Sequence, residues 1–276
     1  MNLNLRTLIL AAATLAAATI SAQESVTRVF SHRGGRLEND ENTMEAFTAS
    51  YANGYRGFET DIRMTADGEL VVTHDSRLDR TSNGSGAVEK HTAAQVRELV
   101  TKHGNKMIFL DELLDFLRDK QGLYVEFEMK TSPAELYPDS LLHVYCDKLY
   151  DAVMAAKPAD AEYVFTSSDT RGLKYLQEKH PGVDLLFITS QPLCDATIAR
   201  CKELGINRIG AKIDGTSRAD VVKAKKEGLT VSLWPGSTPR DTLLGIYLGA
   251  DFLCTDVPAQ VKARLGSEID GTKIIY

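Results

Sequence analysis

The sequence predicts one (β/α)8 barrel, the TIM-barrel fold, and two observations lead to that prediction. Eight short apolar runs alternate with amphipathic segments along the chain of 276 residues, which is typical of parallel strands joined by helices. The region after residue 22 has about 250 residues, the usual length of one such barrel. An open doubly wound sheet is the alternative, but no glycine-rich phosphate-binding turn follows the first strand, as nucleotide-binding members of that fold require.

The first 22 residues have the features of a secretory signal peptide. A basic start is followed by a 13-residue apolar run, Leu8–Ile20, and two small residues precede Gln23. The run is too short to cross a bilayer, so we expect an exported protein, periplasmic or extracellular, without stable membrane insertion. The mature domain is then 23–276. The net charge of −6 argues against nucleic-acid binding, which needs a basic surface.

The hydrophobic pattern predicts the elements of the barrel in chain order. In the first helix Thr43 is the N-cap, the apolar residues share one face, and Gly54 ends the helix. The eight predicted strands are Thr27–Ser31, Gly57–Arg63, Leu123–Lys130, Tyr163–Ser167, Leu185–Thr189, Arg208–Lys212, Thr230–Trp234 and Asp251–Thr255. The predicted helices between them are Thr43–Asn53, Ser140–Ala155, Thr170–Lys179, Asp195–Leu204, Ser217–Glu227 and Pro239–Tyr247.

One connection between a strand and a helix is longer than the others. After the second strand the sequence predicts a hairpin strand over Leu70–Thr73, a polar loop rich in glycine and serine, and a short helix from Thr92. Residues 76–106 are therefore expected to form an insertion at the C-terminal face of the barrel and no part of its wall. Barrel active sites are built at that face.

Acidic side chains occupy strand positions that a barrel interior normally fills with apolar residues. Glu59 and Asp61 are two residues apart on the second strand and point to the same side, and Glu128 lies on the third barrel strand. Three inward carboxylates would repel one another and lose hydration unless a cation lay between them. Without cysteine or histidine on those strands, the set favours one hard divalent cation, Ca²⁺ or Mg²⁺. The alternative is that the acids face outward and pair with Lys130 or Arg63.

Two histidines also end strands. His32 ends the first strand and His74 ends the hairpin strand. A lone histidine is usually structural, but two at one rim fit a general acid and a general base. Arg33 and Lys130 add positive charge that suits a phosphate. The single tryptophan, Trp234, ends the seventh strand and fits either core packing or a wall for the substrate.

The four cysteines form no evident disulfide pattern. Cys194 and Cys201 are seven residues apart in one predicted helix, about 10 Å by helical rise, which is too far for a bridge. Cys254 suits a core position, and Cys146 has no evident mate. We expect few or no disulfides.

These residues fall within motifs that recur, in the same order, in a known family. The motifs are HRG at His32–Gly34, ENT at Glu41–Thr43, ETD at Glu59–Asp61, TADGELVVTHD at Thr65–Asp75, LDRTSNGSG at Leu78–Gly86, EMK at Glu128–Lys130 and GADFLCTDVP at Gly249–Pro258. Through them the sequence closely resembles the glycerophosphodiester phosphodiesterases over essentially the whole mature chain. The resemblance implies a TIM barrel of the phosphatidylinositol-specific phospholipase C type, with a small insertion after the second strand. It also implies hydrolysis of a glycerophosphodiester to glycerol 3-phosphate and an alcohol with one divalent cation.

The resemblance further implies a role for each matching residue. The implied assignment is acid–base catalysis by His32 and His74, phosphate binding by Arg33 and Lys130, and metal binding by Glu59, Asp61 and Glu128. Glu41 matches a loop glutamate beside the site, and its expected role is to orient His32. The sequence departs from the family where Asp40 replaces a usual proline and where Pro235-Gly236-Ser237 follow the tryptophan. These rim changes bear on the preferred head group and not on the chemistry.

Three functions remain open on this reasoning. The first is hydrolysis in two steps through a cyclic phosphate, with His32 as base and His74 as acid in the first step. The second keeps the site but cleaves lysophospholipids in the manner of a lysophospholipase D, which would need an apolar lid. The third is a non-catalytic protein that binds phosphodiesters. The polar insertion favours small soluble diesters, and the presence of both histidines favours an enzyme. The oligomeric state cannot be deduced from the sequence.

Overall fold

Eight parallel strands close into a barrel in the computed structural model, which describes residues 25–276. The strands are β1 Ser25–His32, β2 Gly57–Met64, β3 Leu70–Val72, β4 Tyr124–Met129, β5 Glu162–Ser167, β6 Leu185–Pro192, β7 Arg208–Lys212, β8 Thr230–Gly236, β9 Phe252–Thr255, β10 Glu268–Ile269 and β11 Thr272–Ile275. Around the barrel the order is β1-β9-β8-β7-β6-β5-β4-β2, and β2 pairs with β1 to close the circle. The predicted barrel is confirmed, and the closing pair excludes an open sheet. The predicted signal peptide lies outside the described residues.

Helices connect the barrel strands and cover the outside of the barrel. They are α1 Met44–Ala52, α2 Ala93–Arg97, α3 Leu110–Leu117, α4 Asp139–Ala156, α5 Thr170–Lys179, α6 Asp195–Glu203, α7 Arg218–Lys226, α8 Pro239–Leu248 and α9 Pro258–Leu265. The six predicted connecting helices begin and end within one residue of their predicted bounds. The Thr43 hydroxyl accepts a hydrogen bond from the Ala46 N–H, as expected of the N-cap. Within residues 25–276, no helix has both the length and the apolar composition needed to cross a membrane.

Side chains alternate between the inside and the outside of the barrel along each strand. On β2, Phe58 packs outward against Phe47 of α1, with the ring centroids 6.0 Å apart. Glu59 and Asp61, on the alternate positions, converge with a carboxylate of β4. Beneath them an apolar cluster that includes Phe30 fills the barrel interior. The acids therefore face inward, and the alternative that they face the helices is wrong.

The hairpin after β2 turns the chain back over the barrel. β3 runs antiparallel to β2, and the Thr73 N–H donates to the Asp61 carbonyl oxygen at 2.9 Å. The following residues contain a 3₁₀ turn at Val88–Lys90 and the short helix α2. They have an apolar cluster of their own, centred on Val88 and Phe109, apart from the main core. The hairpin thus delivers His74 to the mouth of the barrel.

Several elements of the described chain are absent from the predicted set. α3 and α9 were not among the predicted helices, although Leu110, Leu113, Leu114 and Leu117 have helical spacing and are buried. The hairpin β10–β11 was also not predicted, and β11 extends the sheet in parallel beside the first half of β1. The four cysteines are unpaired thiols.

Candidate active site

The carboxyl ends of β1, β2 and β4 meet the end of the β2–β3 hairpin around a cavity of about 200 Å³. The predicted site residues that line it are His32, Arg33, Glu59, His74, Glu128, Lys130 and Trp234. The other two predicted residues lie directly behind this lining, because Asp61 adjoins the lining acids and Glu41 accepts a hydrogen bond from Arg33. The structure therefore brings together every residue that the sequence analysis selected.

His32 is fixed by a buried carboxylate. Its Nδ1 lies 2.5 Å from Asp256 Oδ1, and Asp256 also accepts hydrogen bonds from Arg36 and from the Ser237 hydroxyl. Burial opposes ionisation of Asp256, but hydrogen bonds from His32 and Arg36 outweigh it and lower the pKa of Asp256 to about 2. The ionised carboxylate can only accept, so Nδ1 carries the proton and Nε2 is the free ring nitrogen. Burial lowers the pKa of His32 in spite of Asp256, which favours the neutral imidazole.

His74 has the same type of partner in a more open position. Its Nδ1 lies 2.6 Å from Asp75 Oδ1, and its side chain is 30% exposed, against 9% for His32. Burial opposes ionisation of Asp75 too, but hydrogen bonds from Arg80 and His74 lower the pKa of Asp75 to about 2. Nδ1 of His74 is therefore also a donor, and Nε2 is its free nitrogen. Both imidazoles thus present the same ring atom for proton transfer.

Glu59, Asp61 and Glu128 form a buried carboxylate cluster. One oxygen from each lies within 4.8 Å of the other two, and all three side chains are buried. Glu59 Oε1 and Asp61 Oδ1 have no hydrogen-bond partner. Burial and the neighbouring Asp61 raise the pKa of Glu59 well above its ordinary value. Because buried carboxylates with unsatisfied oxygens are costly unless a cation compensates them, the donor set fits a divalent metal ion.

Two cations border the carboxylates on the cavity side. Arg33 adopts a left-handed backbone conformation (φ 53°), and its guanidinium reaches both Asp61, at 3.1 Å from Nε, and Glu41, at 3.0 Å from Nη1. Lys130 Nζ donates to Glu128 at 2.8 Å and lies 3.7 Å from Asp61. An ammonium has three donors and the guanidinium five, so both side chains retain donors for an anion in the cavity.

The remaining wall of the cavity is less polar. Trp234 lines it together with Ile188 and Cys254, and Nε1 of Trp234 is buried without a partner. Trp234 lines the cavity and also packs against the apolar cluster of the barrel interior, so its position agrees with both alternatives for this residue. Gly210 and Ser232 also line this side and leave space because their side chains are small.

Sequence reasoning missed the partners that orient the two histidines. Glu41, expected to orient His32, contacts Arg33 and Arg80 instead, and the orienting carboxylate is Asp256. Asp256 stands in the GADFLCTDVP motif, and Asp75 in the TADGELVVTHD motif, so both were within the motifs that carried the family resemblance. The signal was present, but the pairing was not deducible because Asp256 is 224 residues from His32 in sequence.

The fold is a (β/α)8 barrel, and the cavity at the carboxyl ends of its strands, with two histidines and two cations on its wall, suits a phosphate ester. The profile of the Glycerophosphoryl diester phosphodiesterase family matches residues 32–260, a span that includes every site residue described above. The chain belongs to that family and is a glycerophosphodiester phosphodiesterase.

Individual relatives agree with this family. A Bacillus subtilis protein, the uncharacterized YqiK, is 28% identical over 253 residues, which are 88% of this chain and 100% of that protein. A glycerophosphodiester phosphodiesterase of Caldanaerobacter subterraneus is 39% identical over 119 residues, which are 41% of this chain and 48% of that protein. An Oleispira antarctica phosphodiesterase, solved in complex with the product sn-glycerol-3-phosphate, has a TM-score of 0.78 at 20% identity, covering 86% of this chain and 96% of that chain. The similarity to the Oleispira antarctica structure supports the fold.

Proposed function

We propose that this enzyme hydrolyses small soluble glycerophosphodiesters to glycerol 3-phosphate and an alcohol, with one divalent cation and with His32 and His74 as the acid–base pair. The observation that carries the proposal is the matched support of the two histidines. Both line one cavity, and the Nδ1 of each is held by an ionised carboxylate. A pair of imidazoles with free Nε2 atoms suits proton transfer at both ends of a phosphodiester.

Ca²⁺ or Mg²⁺ is the proposed cation, held by Glu59, Asp61 and Glu128. The set offers carboxylate oxygens alone, which these hard ions prefer. When bound, such a cation supplies positive charge that stabilises the charge developing on phosphate oxygens. The unsatisfied oxygens of Glu59 and Asp61 support this role.

The phosphate is bound by Arg33 and Lys130. Both side chains lie on the cavity wall beside the carboxylates, and their positive charge favours an anionic group. Their own ion pairs with Glu41 and Glu128 hold them in place before a substrate arrives. Pre-formed donors of this kind require little rearrangement when the transition state forms.

The first chemical step is an attack by the substrate on its own phosphorus. His32 Nε2 takes the proton from the glycerol 2-hydroxyl, the hydroxyl oxygen bonds to phosphorus, and the bond to the leaving alcohol breaks. His74, which enters this step protonated on both ring nitrogens, gives that alcohol its Nε2 proton and becomes neutral, and a cyclic phosphate remains. Attack within one molecule avoids most of the entropic cost of bringing two reactants together.

Water opens the cyclic phosphate with the roles reversed. His74 takes a proton from the water as the water oxygen bonds to phosphorus. The bond from phosphorus to the glycerol 2-oxygen breaks, and His32 returns its proton to that oxygen. Both imidazoles then have their starting protonation states, and glycerol 3-phosphate is released. The lowered pKa of His32 supports its assignment as the base of the first step.

Small diesters are favoured over lysophospholipids by the packing of the insertion. Its apolar side chains, among them Leu78 and Val88, are buried in their own cluster. They are not available to cover an acyl chain. The side chains next to His74 on this side are charged, namely Asp75 and, within the insertion, Arg80.

Removal of the cation tests the metal assignment. Exhaustive chelation should abolish hydrolysis in a panel of glycerophosphodiesters, and either Ca²⁺ or Mg²⁺ should restore it. The cation should also raise the Tm, because a ligand at 100 times its Kd stabilises the folded state by about 2.7 kcal/mol. Glu59→Gln should lose both the activity and the rise in Tm.

Glu126→Gln is the matched control for that experiment. Glu126, on β4, is buried and lines the cavity, as Glu59 does. Its Oε1 accepts a hydrogen bond from the Tyr124 hydroxyl at 2.6 Å, and it is outside the proposed ligand set. The Glu126→Gln variant should therefore keep the rise in Tm on addition of the cation. Full activity after chelation would contradict the metal assignment. Binding of diesters without turnover would show a non-catalytic binding protein.

A further inference from the structure

Arg80 is an arginine of the insertion that the proposed mechanism does not use. It lies in the LDRT motif and does not line the cavity. Its guanidinium nevertheless makes hydrogen bonds to two different carboxylates. To Glu41 it donates from Nη1 at 2.8 Å and from Nη2 at 2.7 Å. To Asp75 it donates from Nε at 2.6 Å and from Nη2 at 3.0 Å.

Each of these carboxylates supports a different part of the site. Asp75 accepts the Nδ1–H of His74 at 2.6 Å, and Glu41 accepts from Arg33 Nη1 at 3.0 Å. Arg80 is thus the centre of a continuous chain of hydrogen bonds from His74 to Arg33. One end of this chain is a proton-transfer group and the other is a phosphate-binding group.

We propose that Arg80 is a positioning residue, which acts through Asp75 on His74 and through Glu41 on Arg33. The inference rests on the proposed function, because it presumes that His74 and Arg33 act on the substrate. It gives the insertion a catalytic role, because Arg80 belongs to residues 76–106 and fixes the positions of His74 and Arg33.

The planar guanidinium is suited to this task in a way that an ammonium is not. Its five N–H donors lie in a fixed fork and can bind two carboxylates in defined directions. Without it, two anionic side chains near each other would lose their common cation and rotate more freely. A lysine would supply the charge but could not make both paired contacts.

The exposure of Arg80 indicates that its effect falls on activity and not on stability. Its side chain is 50% exposed, whereas that of Glu41 is 12% exposed. Ion pairs with a solvent-exposed member contribute little to folding, commonly below about 1 kcal/mol. A small displacement of His74 or Arg33, in contrast, lowers the catalytic rate directly.

The experiment compares Arg80→Ala, Arg80→Lys and Arg77→Ala. Arg77 is in the same segment and is 64% exposed, but it pairs with Asp79 alone. Arg80→Ala should lower kcat by about 10–100-fold, as losses of supporting contacts commonly do, with a small change in Tm. The kcat of Arg80→Lys should lie between those of Arg80→Ala and the wild type, and added guanidinium ion should partly restore the kcat of Arg80→Ala. The kcat of Arg77→Ala should match that of the wild type. Wild-type kcat and KM in Arg80→Ala would overturn the inference.

A second comparison tests the route of the effect. In a Glu41→Gln, Asp75→Asn background, Arg80→Ala should cause almost no further loss, because both of its targets are already changed. A loss as large as in the wild-type background would overturn the inference. The proposed function fails separately: if His74→Ala is fully active, the mechanism is wrong whatever Arg80 does. If His74→Ala is slow while Arg80→Ala is not, only the role of Arg80 is refuted.

Discussion

The two histidines of the site have the same chemical support but lie in structurally different regions. His32 ends a barrel strand, and its partner Asp256 is buried in a network with Arg36 and Ser237. His74 follows the hairpin strand, and its partner Asp75 is bound by Arg80 on the exposed rim. The barrel side of the site is therefore fixed by burial, whereas the rim side is fixed by ion pairs that are open to solvent.

This difference predicts how each side responds to perturbation. Removing one partner from a buried ionic network costs about 3–5 kcal/mol, because the other charge is left uncompensated. Exposed ion pairs contribute about 0–1 kcal/mol and weaken with salt. The barrel side should thus be sensitive in both stability and rate, and the rim side mainly in rate. A rim that can move while the barrel stays fixed also suits the entry of substrate and the release of product.

Asparagine substitutions at the two carboxylates should give the largest contrast. Asp256→Asn should lower kcat/KM by about 10²-fold or more, because an amide can donate to Nδ1 and favour the wrong tautomer of His32. It should also lower the Tm, because it leaves Arg36 without its partner. Asp75→Asn should lower kcat/KM by about 10-fold, since a partly exposed amide can turn its oxygen to His74, and it should hardly change the Tm. Steady-state kinetics gives kcat/KM and thermal unfolding gives the Tm of each variant. Equal losses in the two variants would contradict the proposed difference between the barrel side and the rim side.

Truncations in the two apolar cores should give a smaller contrast. Val88 lies in the cluster of the insertion and Val125 in the main core, and both are fully buried. Each Val→Ala change should lower the free energy of unfolding of the region that it stabilises by about 1–3 kcal/mol. Val125→Ala should lower the stability of the whole barrel, whereas Val88→Ala should raise hydrogen exchange mainly within 76–106. Uniform exchange across the chain in the Val88→Ala variant would show that the insertion does not open separately.

The barrel and the carboxylate cluster were predictable because both follow from local periodicity. Spacing of two on one strand decides that Glu59 and Asp61 share a face, whatever the rest of the chain does. The bounds of α5 were predicted without error because Asp169 caps the helix and the apolar spacing is regular. The hairpin β10–β11 was missed since a strand of two residues has no period to detect.

The partner of His32 was not predictable for a physical reason, whereas the partner of His74, Asp75, is the next residue in the chain. Which carboxylate reaches an imidazole depends on tertiary contacts between distant segments, and His32 and Asp256 come together only when β9 pairs with β1. Glu41 was given this role because it matches a loop glutamate beside the site in the family that the sequence resembles. In the folded chain the positive φ of Arg33 turns the backbone immediately after His32, and Glu41 meets Arg33 and Arg80.

The central claim, that His32 and His74 are base and acid of one reaction, is tested most directly by the leaving group. His32→Ala and His74→Ala should each lower the rate on an alkyl diester by at least ~10²-fold. The double variant should be far less than multiplicatively worse, because the two residues act in one step. A glycerophosphodiester with a nitrophenolate leaving group needs little protonation, so it should restore most of the rate of His74→Ala and leave His32→Ala slow. Rescue of His32→Ala instead would reverse the assignment, and full activity of both variants on the alkyl diester would show that neither histidine transfers a proton.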